Sequence, residues 1–590
     1  MRSPHPKLQS FTLSIALLLA PSIAFQMPAI ANPTVQVAQQ NTSEIDASIA
    51  EGTRLFKEGS AESLRKAIGV YERLFELARV AKIENTQAVS LLALGRISDL
   101  LGDKQKAIDY YSQALPIFRV VGNRAIEATT LNNLGGVYDD LGDKQKAIDY
   151  YNQSLPISRA VRNRAIEAKT LNNLGLVYNS LGEKRKAIDY YNESLSISRA
   201  VGNRVIEATT LNNLGGVYND LDEKQKAIDY LNQALPIRRA VGDRAGEATT
   251  LNNLGSIYDD LGEKQKAITY YNQSLLISRT VGNRSGEAST LNNLGLVYNS
   301  LGEKQKAIDY YNQALPIMRA VGDRAGEATT LNSLGGVYDD LGEKQKAIDY
   351  FNQASPISRA VGNRSGEAST LNNLGLVYNS LGEKQKAIDY YNQALPIYRA
   401  VGNRSGEATI LNNLGTVYNS LGEKQKAIDY FNQALPIHRA IDDRAGEAVT
   451  LNNLGAVYDS SGEKQKAIDY FNQALPIRRA VGDRAGEAST LTNLGGVYDS
   501  LGEKQKAIDY FNQSLPIWRV VGDRAGEAIT LHNIASVLKD QKQLQLSIAV
   551  FKKSVNIYES IRKDNEKLPR ELRESYTKSI AIPIKHSLIS

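Results

Sequence analysis

The sequence predicts an all-α fold, a solenoid of about thirteen helical hairpins, and three observations carry that prediction. The motif LNNLG stands at Leu131–Gly135 and returns at 171, 211, 251, 291, 371, 411 and 451, which marks a forty-residue repeat. Within each repeat, apolar residues recur at helical spacing in two runs, and nowhere do they alternate as in a strand. Glycine, followed by aspartate, asparagine or glutamate, stands where these runs stop and start. A fixed period overrides the several-domain expectation that 590 residues would otherwise raise.

At the N-terminus, Arg2, His5 and Lys7 precede the apolar run FTLSIALLLA, Phe11–Ala20, and a small-x-small triplet follows at Ala29–Ala31. This pattern predicts a signal peptide over 1–31 and an exported chain, periplasmic or secreted. The alternative is an uncleaved anchor, against which stand the short apolar run and Pro21. Residues 32–44 (NPTVQVAQQNTSE) read as a polar linker.

The array occupies 45–564. Its first unit, Ile45–Lys82, keeps KAIGVYERLFELA but carries extra residues around Gly59–Ser63, and twelve units then align without a gap from Gln87 to the one starting at Glu527. Val281–Ile317 and Val361–Ile397 are identical over 37 residues. In the unit beginning at Glu287, Leu291, Leu294, Val297, Tyr298 and Leu301 line one helix, which Gly302 stops. Ala307, Ile308, Tyr311, Ala314 and Leu315 line a second, Gly322 ends it, and Asp323 is placed to cap the next. Proline at 116, 156, 236 and 316 falls inside the second helix. Ser196 and Leu276 replace it elsewhere, so we read it as a tolerated kink. Residues 565–590 form a basic tail, and 531–590 together carry eleven Lys/Arg against six Asp/Glu.

Composition excludes much chemistry. There is no cysteine, and the four histidines (His5, His438, His532, His586) share no metal-ligand spacing. Asp139 and Asp140 are adjacent on one helix rather than opposed across a cleft. No strand precedes a glycine-rich loop, so the chain is read as no enzyme and as taking no cofactor or metal. The net charge is +6, and from Glu127 to Ala165 five acids balance five bases, which speaks against nucleic acid along the array.

The set Leu134, Gly135, Tyr138, Gly142, Ala147 and Tyr151 resembles the signature of the tetratricopeptide repeat in a forty-residue form, over 520 of 590 residues (45–564). More narrowly, RAVGDRAGEATTLNNLG with GEKQKAIDYYNQALPI is similar to the arrays of cyanobacterial proteins that end in a caspase-like CHAT domain. Ser554–Ser579 resembles the segment that leads into that domain. Proteolysis in that family needs a His and a Cys, and this chain has no Cys. The resemblance implies a right-handed superhelix whose first helices line a concave groove for a protein or an extended peptide.

A helical wheel at about 100° per residue places Leu131, Leu134, Gly135, Tyr138 and Leu141 on one face and Asn132, Gly136 and Asp139 on another stripe. Asn133 falls between neighbouring helices and reads as a structural tie. Asn132, Asn172, Asn212, Asn252, Asn292, Asn332, Asn372, Asn412 and Asn452 read as a groove-facing ladder of donors and acceptors suited to peptide backbone. The alternative is a row of merely solvated amides. Asp139, Asp259 and Asp339 would make the groove mildly acidic, and the variable place after Asn132 (Gly136, Leu176, Ser256, Thr416) would give it small or apolar recesses.

The variable residue of LPI-x-R (Phe118, Ser158, Arg238, Met318, Tyr398, His438, Arg478, Trp518) reads as a solvent-facing edge. Arg159, Arg164, Asp149 and Glu167 read as exposed ion pairs between units. The expected function is a non-catalytic scaffold that binds protein or peptide in the groove. The basic tail is expected to contact an anionic surface weakly. The alternative is a structural spacer or the sensor arm of a CHAT-type system without its catalytic domain.

Overall fold

The computed structural model describes residues 33–566, with side chains over 43–564. The predicted signal peptide and residues 567–590 of the basic tail lie outside the described residues. Two compact units make up the chain, one ending at Leu301 and one beginning at Gly302. Among the described residues there are 26 helices and no strand, as the periodicity predicts. None of these helices is long and apolar enough to cross a membrane. Residues 33–44, expected as a linker, belong instead to the helix Pro33–Glu58. Pro33 suits a first helical position, and no further proline or glycine interrupts the chain before Gly52.

The first unit holds hairpins over 33–80, 84–120, 124–160, 164–200, 204–240 and 244–280, then the helix Arg284–Ser300. The second begins with Lys304–Val321 and continues through hairpins over 324–360, 364–400, 404–440, 444–480, 484–521 and 524–566. Turns follow the expected punctuation: Gly142 has φ 82°, and the Asp323 carboxylate accepts from the Gly326 amide at 2.8 Å. The helices run on through their prolines, as in Lys144–Ala160. Pro156 and Asn152 are both exposed, so the carbonyl that the proline deprives of a donor faces water.

Within a hairpin, an aromatic ring of the second helix lies on a glycine of the first. A Cβ at Gly455 would stand 2.6 Å from Phe471 Cε1. The contact needs the ring and not a hydroxyl, since the buried phenols of Tyr111, Tyr191 and Tyr391 have no hydrogen-bond partner. Phe351, Phe431, Phe471 and Phe511 occupy the same place, and burial pushes the Tyr391 phenol pKa upward.

Between hairpins, the second helix packs on the first helix of the next, so that Ile148 and Leu155 share a core with Leu171 and Leu174. The expected ion pairs are present, with exposed arginines on a buried carboxylate. Glu167 is 2% exposed. It is gripped by Arg159 of the preceding hairpin at 3.0 Å and by Arg164 at 2.6 Å. A carboxylate taken out of water needs such compensation. Asp149 takes no part and accepts from Gln145 at 2.9 Å on its own helix.

The variable residue of LPI-x-R is also not at a solvent edge. Phe118, Ser158, Arg238, Met318, Tyr398, His438, Arg478 and Trp518 are all buried. Where the third residue of the following helix is glycine, they stand against it. Arg238, Tyr398, His438, Arg478 and Trp518 face glycines, as do Ser278 and Met318, whereas in the sequence Ile166 and Ile206 follow Ser158 and Ser198, and Ile126 follows Phe118. His438 Nδ1 lies 2.8 Å from Asp443, and Arg478 reaches Asp483 at 2.5 Å. A Cβ at Gly486 would fall on the Arg478 guanidinium. Gly486→Ile alone is therefore expected to cost more than about 2 kcal/mol by overpacking. Adding Arg478→Ser and Asp483→Asn, which recreates Ser198, Asn203 and Ile206, should recover most of the loss in urea unfolding followed by circular dichroism.

Candidate binding face

The first helices are packed on most sides and leave one narrow stripe to water. In Arg364–Ser380 the stripe consists of Ser365, Ser369, Asn372, Leu376 and Asn379, with Leu376 at 41% exposure. Arg364–Ser380 is held there by Tyr391 seated on Gly375 on one side and by neighbouring hairpins on the others.

The first asparagines sit at the inner margin of this stripe rather than pointing freely from it. Asn132 is 1% exposed; its Oδ1 accepts from Thr170 Oγ1 at 3.1 Å and from Asn173 Nδ2 at 3.2 Å, both on the next hairpin. The two asparagines of the motif are thus partners across hairpins: the first accepts and the second of the next unit donates. Asn172 repeats the pattern with Thr210 and Asn213, Asn212 with Thr250 and Asn253, and Asn252 with Thr290 and Asn293. In the second unit Asn332 accepts from Thr370 and Asn373, Asn412 from Thr450 and Asn453, and Asn452 from Thr490 and Asn493. Asn372 accepts from Asn413 alone, at 3.0 Å, because Ile410 stands in the threonine's place.

This corrects the wheel reading. A wheel gives direction around one axis and says nothing of the donors that the next helix offers at the seam. Asn132, Asn172 and Asn292 are buried, while Asn212, Asn252, Asn332, Asn372, Asn412 and Asn452 are half-buried. With two donors, a carbonyl oxygen has used both lone pairs, so the amides that accept two bonds have only N–H groups left to offer.

The acids of the stripe are neutralised. Asp139, Asp259 and Asp339 each bond a lysine five residues on, Lys144, Lys264 and Lys344, at 2.6 Å. Where asparagine replaces aspartate, the same lysine remains, as in Lys384 Nζ to Asn379 Oδ1 at 2.6 Å. The stripe is therefore not the expected acidic groove. The signal was legible as a lysine at a fixed interval beyond the Gly142-type turn. Among the described residues no group of His, Asp and Glu is placed to hold a metal ion.

A tetratricopeptide repeat model matches the chain in overlapping stretches from 117 to 480 and again over 487–560, and a second model of that repeat matches 88–117. No curated protein matches. Among solved structures, the apo quorum sensor NprR from B. thuringiensis is 18% identical with a TM-score of 0.46, covering 61% of this chain and 99% of its own. A signal transduction ATPase with a tetratricopeptide repeat sensor from Pyrococcus horikoshii is 15% identical, covers 75% and 71%, and has a TM-score of 0.45. The Cut9–Hcn1 hetero-tetramer is 16% identical, covers 97% and 99%, and has a TM-score of 0.45.

One break in the ladder supplies a test. Leu92 stands where Asn132 stands one unit later, so the buried Asn133 Nδ2 has no partner among the described residues. Asn173→Ala removes a made bond, and Asn133→Ala removes an unmade one. The first is expected to cost at least about 1 kcal/mol more than the second in chemical denaturation.

Proposed function

The chain belongs to the tetratricopeptide repeat family, and from that premise we propose that it is a non-catalytic scaffold holding an extended peptide or protein segment against the stripe of its first helices. One observation carries the reading: the half-buried amides at Asn332, Asn372, Asn412 and Asn452 repeat at one place in consecutive hairpins. Their carbonyls accept from the neighbouring hairpin, so the row offers donors. An extended peptide presents a carbonyl at every residue whatever its sequence, which suits a row of donors. Between the amides stand Gly336, Leu376, Thr416 and Ala456, a mixture of open and apolar places for alternate side chains of the ligand. Asp339 is matched by Lys344, and Lys384 bonds the neutral Asn379, so the stripe has no excess of negative charge to favour a basic ligand. The N-terminal segment supports export, and mature protein recovered from outside the cytoplasm is expected to begin after Ala31 on N-terminal sequencing.

A peptide-display selection on the full chain tests the binding reading. Leu376→Glu with Thr416→Glu changes two exposed side chains outside the amide ladder, and it should weaken selected peptides at least about tenfold with an unchanged circular dichroism spectrum. Undiminished affinity would move the site off this stripe. No selectable peptide would favour a spacer, or the sensor arm of a CHAT-type system.

A further inference from the structure

We propose that the chain forms a two-fold dimer through the open face of the helix Leu544–Glu566. Inside the array, the equivalent face is never open. Ile388 and Leu395 share a core with Leu411 and Leu414 of the next first helix, and Ile428 and Leu435 share one with Leu451 and Leu454. Leu544–Glu566 has no following hairpin among the described residues. Ile548 is 56% exposed where Ile388 is 4%, and Phe551 and Val555 are each 36% exposed.

The sequence has also changed at this end in the apolar direction. Interior second helices begin KQK, as at Lys504 and Lys506; here Leu544 and Leu546 take those places at 58% and 51% exposure. A terminal repeat that met only water would be expected to become more polar on its outer side. Leu544, Ile548, Phe551 and Val555 follow one another at intervals of four, three and four, the seam spacing of paired helices.

In the array this face is covered by the leucine face of the next first helix. A second copy brings the same open apolar row, whose seam spacing is self-complementary, and a two-fold axis buries both rows at once. Antiparallel pairing sets Leu544 opposite Val555 and Ile548 opposite Phe551. It also separates Lys552 and Lys553 from their counterparts, which parallel pairing would bring side by side.

Sedimentation velocity on the full chain from about 1 to about 100 µM tests this, a range that brackets micromolar association. The expected result is a dimer that Leu544→Glu with Ile548→Glu converts to monomer without loss of helical signal. Leu276→Glu, a charge placed on a 68% exposed leucine elsewhere, should leave the dimer intact. A monomer at every concentration would overturn the proposal, including the case in which residues 567–590 cover the face. A dimer that survives the double substitution would overturn it as well.

Discussion

The fold depends first on an aromatic ring lying against a glycine. Tyr151 on Gly135, Phe431 on Gly415 and, with a smaller side chain, Leu231 on Gly215 set how near the two helices of a hairpin come. The requirement is steric, since any Cβ at the glycine would enter the space of the ring. The seat fixes the second helix, and its next face then reaches the following hairpin. Ile148 and Leu155 meet Leu171 and Leu174 in the core that Tyr151 also enters.

Apolar packing alone would leave the stack free to slip, because hydrophobic contacts are non-directional. Register comes from buried polar groups that tolerate one arrangement. Glu167 between two arginines and Asn132 beneath Thr170 and Asn173 would each be left unpaired in a slipped stack, at a cost larger than the bond itself contributes. The ladder is interrupted at Leu92, Ser333, Ile410 and Thr492, and there the stack loses a bond that would oppose slipping.

Much of this was legible in the sequence, because period and punctuation are local properties. The forty-residue repeat, the helix pair, the turn glycines and the capping aspartates all follow from spacing. What was not legible belongs to the seams. Variation at Phe118, Arg238 and Trp518 reads as exposure when that position is taken alone. Paired with Gly246 and Gly526, the residues Arg238 and Trp518 are seen to fill space that a glycine leaves at the seam. Asp139 reads as a groove charge until Lys144, across the turn, is counted with it. Asn132 was misplaced because its partners lie about forty residues away, Thr170 and Asn173, beyond the reach of any single-helix projection.

The double duty of the asparagines also limits what their repetition can mean. An amide that holds two hairpins together would be kept in every unit whether or not a ligand touches it. Sameness at Asn212, Asn252, Asn372 and Asn412 is thus explained by packing before it says anything about recognition. The stripe has other members that make neither the ring seat nor the inter-hairpin tie. They are the places of Ala245, Ser365 and Ser405, of Thr249, Ser369 and Val449, and of Gly336, Leu376, Thr416 and Ala456. These are free to vary, and they do vary from hairpin to hairpin. In the proposed binding mode, discrimination among ligands would reside in them, because a row of amide donors reads only a backbone.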